Sequence, residues 1–257
     1  MSAVTSAPLP TSSGGTDAAA RPAGRTRALV ILTVITAIAV AVGVLLSLFY
    51  AGTDVEQGHV QRIFYIHVAS FFGAFSAFGA GVWGGIAYLR TRNPKWDTLA
   101  LAGVEVGLAL SIINLITGSI WARPIWNTWW TWDPRLTSAA IMAATYAAYL
   151  FLRSGIENEE TRRRFASVFG ILAFSTVIIT LVIIRIRPDT IHPAVIGSTP
   201  GNAQGGFNLT SSMGITLGYH AVVWVSLLPL VLIWWRIRLE NLAERVRAVR
   251  AEIAEGA

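Results

Sequence analysis

Five of the ten tryptophans fall within 12 residues: Trp121, Trp126, Trp129, Trp130 and Trp132, in the segment WARPIWNTWWTWDPRLTS from Trp121 to Ser138. An aromatic belt at the lipid headgroups accounts for one or two tryptophans per helix end, not for five in one segment. Large rigid apolar faces with a polar handle suit a flat, greasy, partly polar client. A tetrapyrrole meets that description; a quinone or an aromatic lipid meets it less well. Two histidines sharpen the reading: His67 in RIFYIHVAS and His192 in RPDTIHPAVIG, where Pro193 fixes the chain direction immediately after the imidazole. With no cysteine in the chain and few carboxylates nearby, two imidazoles fit zinc or calcium poorly. They fit axial ligation of haem iron, where His is the usual ligand.

The polar residues around this aromatic segment have double readings. Asp133 and Arg135 flank Pro134, and Asp133 is either a helix-start residue or a ligand contact. Arg123 and Arg135 match carboxylate geometry and so could hold haem propionates; Arg62, Arg185 and Arg187 are the other cations expected on this face, and lipid phosphates are the rival partner. His59 stands eight residues before His67, on a nearby helix face, so the two cannot bracket one iron. His59 is expected at the rim, capping a helix or touching a propionate, and His220 in a supporting contact or a helix–helix hydrogen bond. Glu105 and Asn114 sit in an apolar stretch and must face the interior, where they can hydrogen-bond across helices.

These residues need elements to position them, and the composition says which. Hydrophobic residues make up 54% of the 257-residue chain and charged residues 13%, against roughly 25% charged in soluble domains. The absence of cysteine excludes disulfides, thiolate zinc, iron–sulfur clusters and covalent haem attachment through CxxCH. No phosphate-binding loop, nucleophile elbow or dinucleotide fingerprint is present, and nothing points to nucleic acid as a partner; membrane lipid is the expected surroundings. Six apolar stretches reach or nearly reach the length that spans about 30 Å of hydrocarbon: roughly Leu29–Tyr50, Arg62–Leu89, Thr98–Ile120, Leu136–Leu152, Phe165–Ile184 and Met213–Trp235. The expected fold is thus all-α and polytopic, with six transmembrane helices. Residues 1–28, rich in Ser, Thr, Ala, Pro and Gly, read as a disordered tail. Residues 29–235 form the membrane domain, with outer loops at 121–135 and 185–212. Residues 236–257 form an amphipathic segment, either a straight extension of span six or an interfacial helix. Of the 20 basic residues, 15 cluster at the two ends and in the second and fourth connections. That face belongs in the cytoplasm, which puts both termini inside and the tryptophan loop in the periplasm.

The segment TGSIWARPIWNTWWTWDPRLTS, with RIFYIHV around His67 and TIHP around His192, resembles the haem exporter protein C (CcmC) family of cytochrome c maturation, within the tryptophan-rich (WWD) haem-handling superfamily. The resemblance covers about residues 30–240. It implies an inner-membrane protein that binds haem b transiently and without covalent attachment at its periplasmic face, presenting it to the haem chaperone CcmE. The helper CcmD and the ABC transporter CcmAB are the further implied partners. It also implies His67 and His192 as axial ligands, the tryptophans as cover and the arginines as propionate contacts, in a transfer platform more than an enzyme. Three departures stand out, one of them the extra tail at residues 1–28. Asn127 occupies a position that is usually Gly in the family, a substitution Asn tolerates because it accepts left-handed backbone angles. The Gly/Asn/Gln-rich stretch from Gly197 to Asn208 has no counterpart. The rival functions are a haem-containing membrane oxidoreductase using quinone and a transporter of another hydrophobic solute.

Overall fold

The computed structural model describes residues 23–194, 198–201, 203–204 and 209–255; the tail before residue 23 and half of the Gly197–Asn208 stretch lie outside the described residues. Helix α1 (Ala23–Leu45) runs into a π-helical turn at Leu46–Tyr50, and a 3-10 turn at His59–Ile63 leads into α2 (Phe64–Thr91). Then come α3 (Pro94–Trp126), α4 (Pro134–Ser154) and α5 (Glu159–Ile186). Helices α6 (Ser211–Val222) and α7 (Leu228–Glu255) join through a second π-helical turn, Val223–Leu227, into one continuous rod. Among the described residues there is no sheet, only an isolated bridge between Asp54 and Gly58. Six of these helical stretches are long and apolar enough to cross a membrane, as the sequence predicts.

The helix ends depart from the apolar runs, and the caps explain why. Helix α1 starts at Ala23 rather than Leu29, and Thr26 near its start accepts a hydrogen bond from Arg238 of α7 at 2.8 Å. Asn93 caps α3 by accepting from the Lys95 N–H, with Pro94 in the first turn. Asn158 does the same for α5 through the Thr161 N–H, with Glu159 and Glu160 favouring the positive helix start. Helix α3 also continues past Ile120 to Trp126, ending on Asn127 at φ 54°, ψ 20°. The left-handed conformation expected of Asn127 is therefore present. At 33 residues, α3 is about 50 Å long, longer than the roughly 30 Å of hydrocarbon it has to cross. The loop expected over 121–135 is accordingly shorter: Trp121, Arg123 and Trp126 are helical, and only residues 127–133 lie outside helices. Of the two readings of the C-terminal segment, the continuous helix is the one observed, through Trp235 to Glu255.

Helix α2 is the centre of the bundle. It packs on α3 through glycines that bring the two backbones into contact: a Cβ at Gly84 would stand 2.6 Å from the Ala100 nitrogen, and one at Gly103 would stand 2.6 Å from the Gly81 nitrogen. Aromatic packing joins α2 to α4, where Phe78 stacks on Tyr146 with ring centres 3.6 Å apart. At the end opposite the tryptophans, buried Asp97 of α3 takes both Arg153 guanidinium nitrogens, at 2.7 and 2.5 Å. Glu105 pairs there with Arg236 of α7, and Asn114, on the same helix, bonds across to α2, so both bond across helices as expected. His220 forms the expected helix–helix contact: its Nε2 lies 2.9 Å from both Ser47 Oγ and the Gly43 carbonyl of the first span.

Candidate functional site

The site is built on the α2–α3 pair. His67 projects from the second turn of α2 toward α3, where its Nδ1 donates to the Asn114 carbonyl at 3.0 Å. Asn114 returns a bond through its side-chain amide to the His67 carbonyl at 2.8 Å. Gly118, one turn further on α3, leaves room for the ring. From the segment after α5, His192 meets His67 with ring centres 6.3 Å apart and planes inclined by 39°. Its Nδ1 donates to the Pro193 carbonyl at 2.7 Å. A carbonyl oxygen only accepts, so in both rings Nδ1 carries the proton and Nε2 keeps its lone pair. This is the state in which histidine ligates metals. Shielding from solvent pushes the His192 pKa down to about 3, with the Arg135 charge and His67 adding to the effect. The imidazole is therefore neutral at neutral pH.

Each histidine has a tryptophan edge beside it. Trp121 lies 5.7 Å from His67 and Trp126 lies 6.0 Å from His192, both in edge-on arrangements. Trp126 also donates its indole N–H to the Gln204 carbonyl at 3.2 Å, tying the end of α3 to the third outer segment. Two clefts open on either side of the histidine pair. One is lined by Trp121, Ile125, Trp126, Trp130, Leu136 and neighbours. The other is lined by Phe71, Phe72, Leu181 and Ile184. His67, Asn114, Arg135, His192 and Pro193 border both.

The candidate residues thus divide. His67, His192, Trp121, Trp126, Trp130 and Arg135 come together. Trp129 and Trp132 do not line either cleft and are 59% and 78% exposed. Asp133 caps α4, accepting from the Arg135 and Leu136 N–H groups at 2.8 and 3.1 Å, so its helix-start reading is the one observed. Arg123 turns back to Asn127, bonding both its carbonyl and its side-chain oxygen, and borders neither cleft. Arg135 lies over the Phe71 ring at 4.8 Å and donates to the Thr180 carbonyl of α5. His59 sits at the rim, 3.4 Å from Thr53 Oγ1. The sequence reading did not single out Gly118, Phe71, Phe72 or Gln57. A glycine inside an apolar span and a glutamine in a loop carry no signature of their own. Among the described residues no group of three or more His, Cys, Asp or Glu converges as a metal cluster.

The fold and the site together define a multi-pass α-helical membrane protein with a histidine–tryptophan cleft at one end of its bundle. The sequence model of the Heme exporter protein C (CcmC) family matches residues 18–252, and the chain belongs to that family, part of the WWD haem-handling group. It is 32% identical to Heme exporter protein C of Bradyrhizobium diazoefficiens over 228 residues, 87% of this chain and 82% of the relative. It is 30% identical to the protein of that name from Haemophilus influenzae over 149 residues, 58% of this chain and 59% of the relative. With that of Escherichia coli K12 it shares 27% identity over 146 residues, 55% of this chain and 58% of the relative.

Proposed function

We propose that this protein binds haem b between His67 and His192 on the periplasmic side of the cytoplasmic membrane and presents it to a periplasmic haem chaperone during c-type cytochrome maturation. The observation that carries the reading is the histidine pair. The two rings stand with centres 6.3 Å apart, so His67 and His192 are the residues that would hold an iron, which would supply the coordination chemistry when bound. Among the described residues neither Nε2 has a hydrogen-bond partner, and two protein ligands suffice only if a macrocycle supplies the rest. The apolar clefts on either side present aromatic faces to a flat disc, with Trp121, Trp126 and Trp130 on one side and Phe71 and Phe72 on the other. The chain's own work is holding and handing over: two neutral imidazoles for the iron, aromatic walls that exclude water, and Arg135 for a carboxylate. The partners that family membership supports are the chaperone CcmE, the small subunit CcmD and the transporter CcmAB.

The absorption spectrum of the purified protein with haem tests the reading. A six-coordinate low-spin haem b is expected. His67→Ala and His192→Ala should each give a five-coordinate high-spin form or lose haem on purification, with added imidazole partly restoring the low-spin form. His59→Ala and His220→Ala should leave the iron six-coordinate. An ordinary bis-histidine signal in either of the first two variants removes that residue as a ligand.

A further inference from the structure

Gln57 lies in the loop before α2, and its position is set by a tight turn. Asp54 Oδ1 accepts from the Glu56 and Gln57 N–H groups at 2.9 and 2.7 Å. The Gly58 N–H closes onto the Asp54 carbonyl at 3.0 Å, with Gly58 at φ 59°, an angle that glycine adopts without strain. The turn holds the Gln57 side chain only 7% exposed. Its Oε1 accepts the indole N–H of Trp121 at 3.0 Å. An indole nitrogen only donates, so this bond fixes which end of the amide is oxygen. The other end, Nε2, is buried and has no acceptor among the described residues, and the same is true of the Trp130 indole nitrogen. Both residues line the tryptophan-side cleft.

A buried N–H without an acceptor is costly, and here two such groups border one cleft. The described lining of that cleft contains no Asp or Glu, and Arg135 is its one cation. It therefore offers donors and a positive charge without a competing anion, the complement of a carboxylate. We infer that Gln57 Nε2, with the Trp130 indole N–H, seats a carboxylate of the cargo in this cleft; the inference rests on the haem reading, in which that group is a propionate. Neutral donors suit a site that must also let go. A departing carboxylate leaves behind unpaired N–H groups, which cost less than an unpaired buried cation.

Titration of the full-length protein in lipid nanodiscs with ferric haem b and with its dimethyl ester tests the seat. The parent should prefer the free acid by about tenfold or more, the scale of a hydrogen bond to a charged acceptor. Gln57→Glu keeps an oxygen for Trp121 but sets a carboxylate where the amide donated. It should lose that preference while ester binding and the low-spin spectrum persist. A Gln57→Glu protein with the parent's preference overturns the proposal. Should that variant not fold, Trp130→Phe carries the test: it removes the second donor, and an unchanged preference there is equally fatal. A parent with no six-coordinate spectrum for either porphyrin removes the haem reading itself, and this proposal with it.

Discussion

Gly118 has no space for a side chain. A Cβ there would stand 2.8 Å from His67 Cε1 and 3.3 Å from its Nδ1. Gly118→Ala should tilt the ring off the Asn114 carbonyl and lower haem retention several-fold at unchanged melting temperature. Equal retention would show that the ring position is not critical. The two arginines on the tryptophan segment should part company. Arg135→Ala is expected to weaken retention while leaving a low-spin spectrum, whereas Arg123→Ala should retain haem like the parent, because its guanidinium is spent on Asn127. Comparing haem content after detergent purification checks both. At this scale the sequence made the histidines legible, since an imidazole in or beside an apolar span is rare and needs a reason. It could not separate Arg123 from Arg135. The two have the same chemistry in the same segment, and the left-handed Asn127 cap that captures one of them is a property of the folded helix end.

Helices reveal their middles in sequence more readily than their ends. Hydrocarbon demands a run of apolar residues, so all six spans could be placed. The ends obey capping chemistry, which is written in single residues. Asn93 and Asn158 start α3 and α5 before their apolar runs begin, and Trp121 and Trp126 look like loop residues although they ride on the last turns of α3. Asp133 shows the value of such an end: Asp133→Ala should cost about 1 kcal/mol through the lost cap of α4, read as a lower melting temperature with bound-haem spectra unchanged in form. The α2–α3 contact is less forgiving. Gly103→Val pushes carbon into the Gly81 backbone nitrogen and the Ala77 carbonyl, the latter 2.7 Å from a Cβ. Neither backbone can yield locally, so the expected result is poor accumulation of folded protein in the membrane; wild-type levels would contradict the close packing.

The whole molecule is oriented by its cations. Arg90, Arg92, Lys95, Arg153 and Arg162 to Arg164 gather at the end of the bundle away from the tryptophans, with the arginines of α7, and by the positive-inside rule that end is expected in the cytoplasm. Because the chain has no native cysteine, single cysteines report sidedness directly. Asn127→Cys should react with an impermeant reagent added outside intact cells, and Ala251→Cys only after permeabilisation. The reverse pattern would turn the protein over.

The glycine-to-backbone contact between α2 and α3 also decides how a grip can loosen. His67 and Trp121 belong to two helices whose main chains touch, so they form a fixed jaw. His192 hangs on the strand of chain leaving α5, steadied by the Thr190 hydroxyl on its own N–H at 3.1 Å and by the Gln204 N–H on the Ile191 carbonyl at 2.8 Å. A clamp with one stiff and one compliant jaw releases in a set order. On the proposed reading, the His192 side is expected to open first, leaving the cargo on His67 with one face bare for a recipient's own ligand.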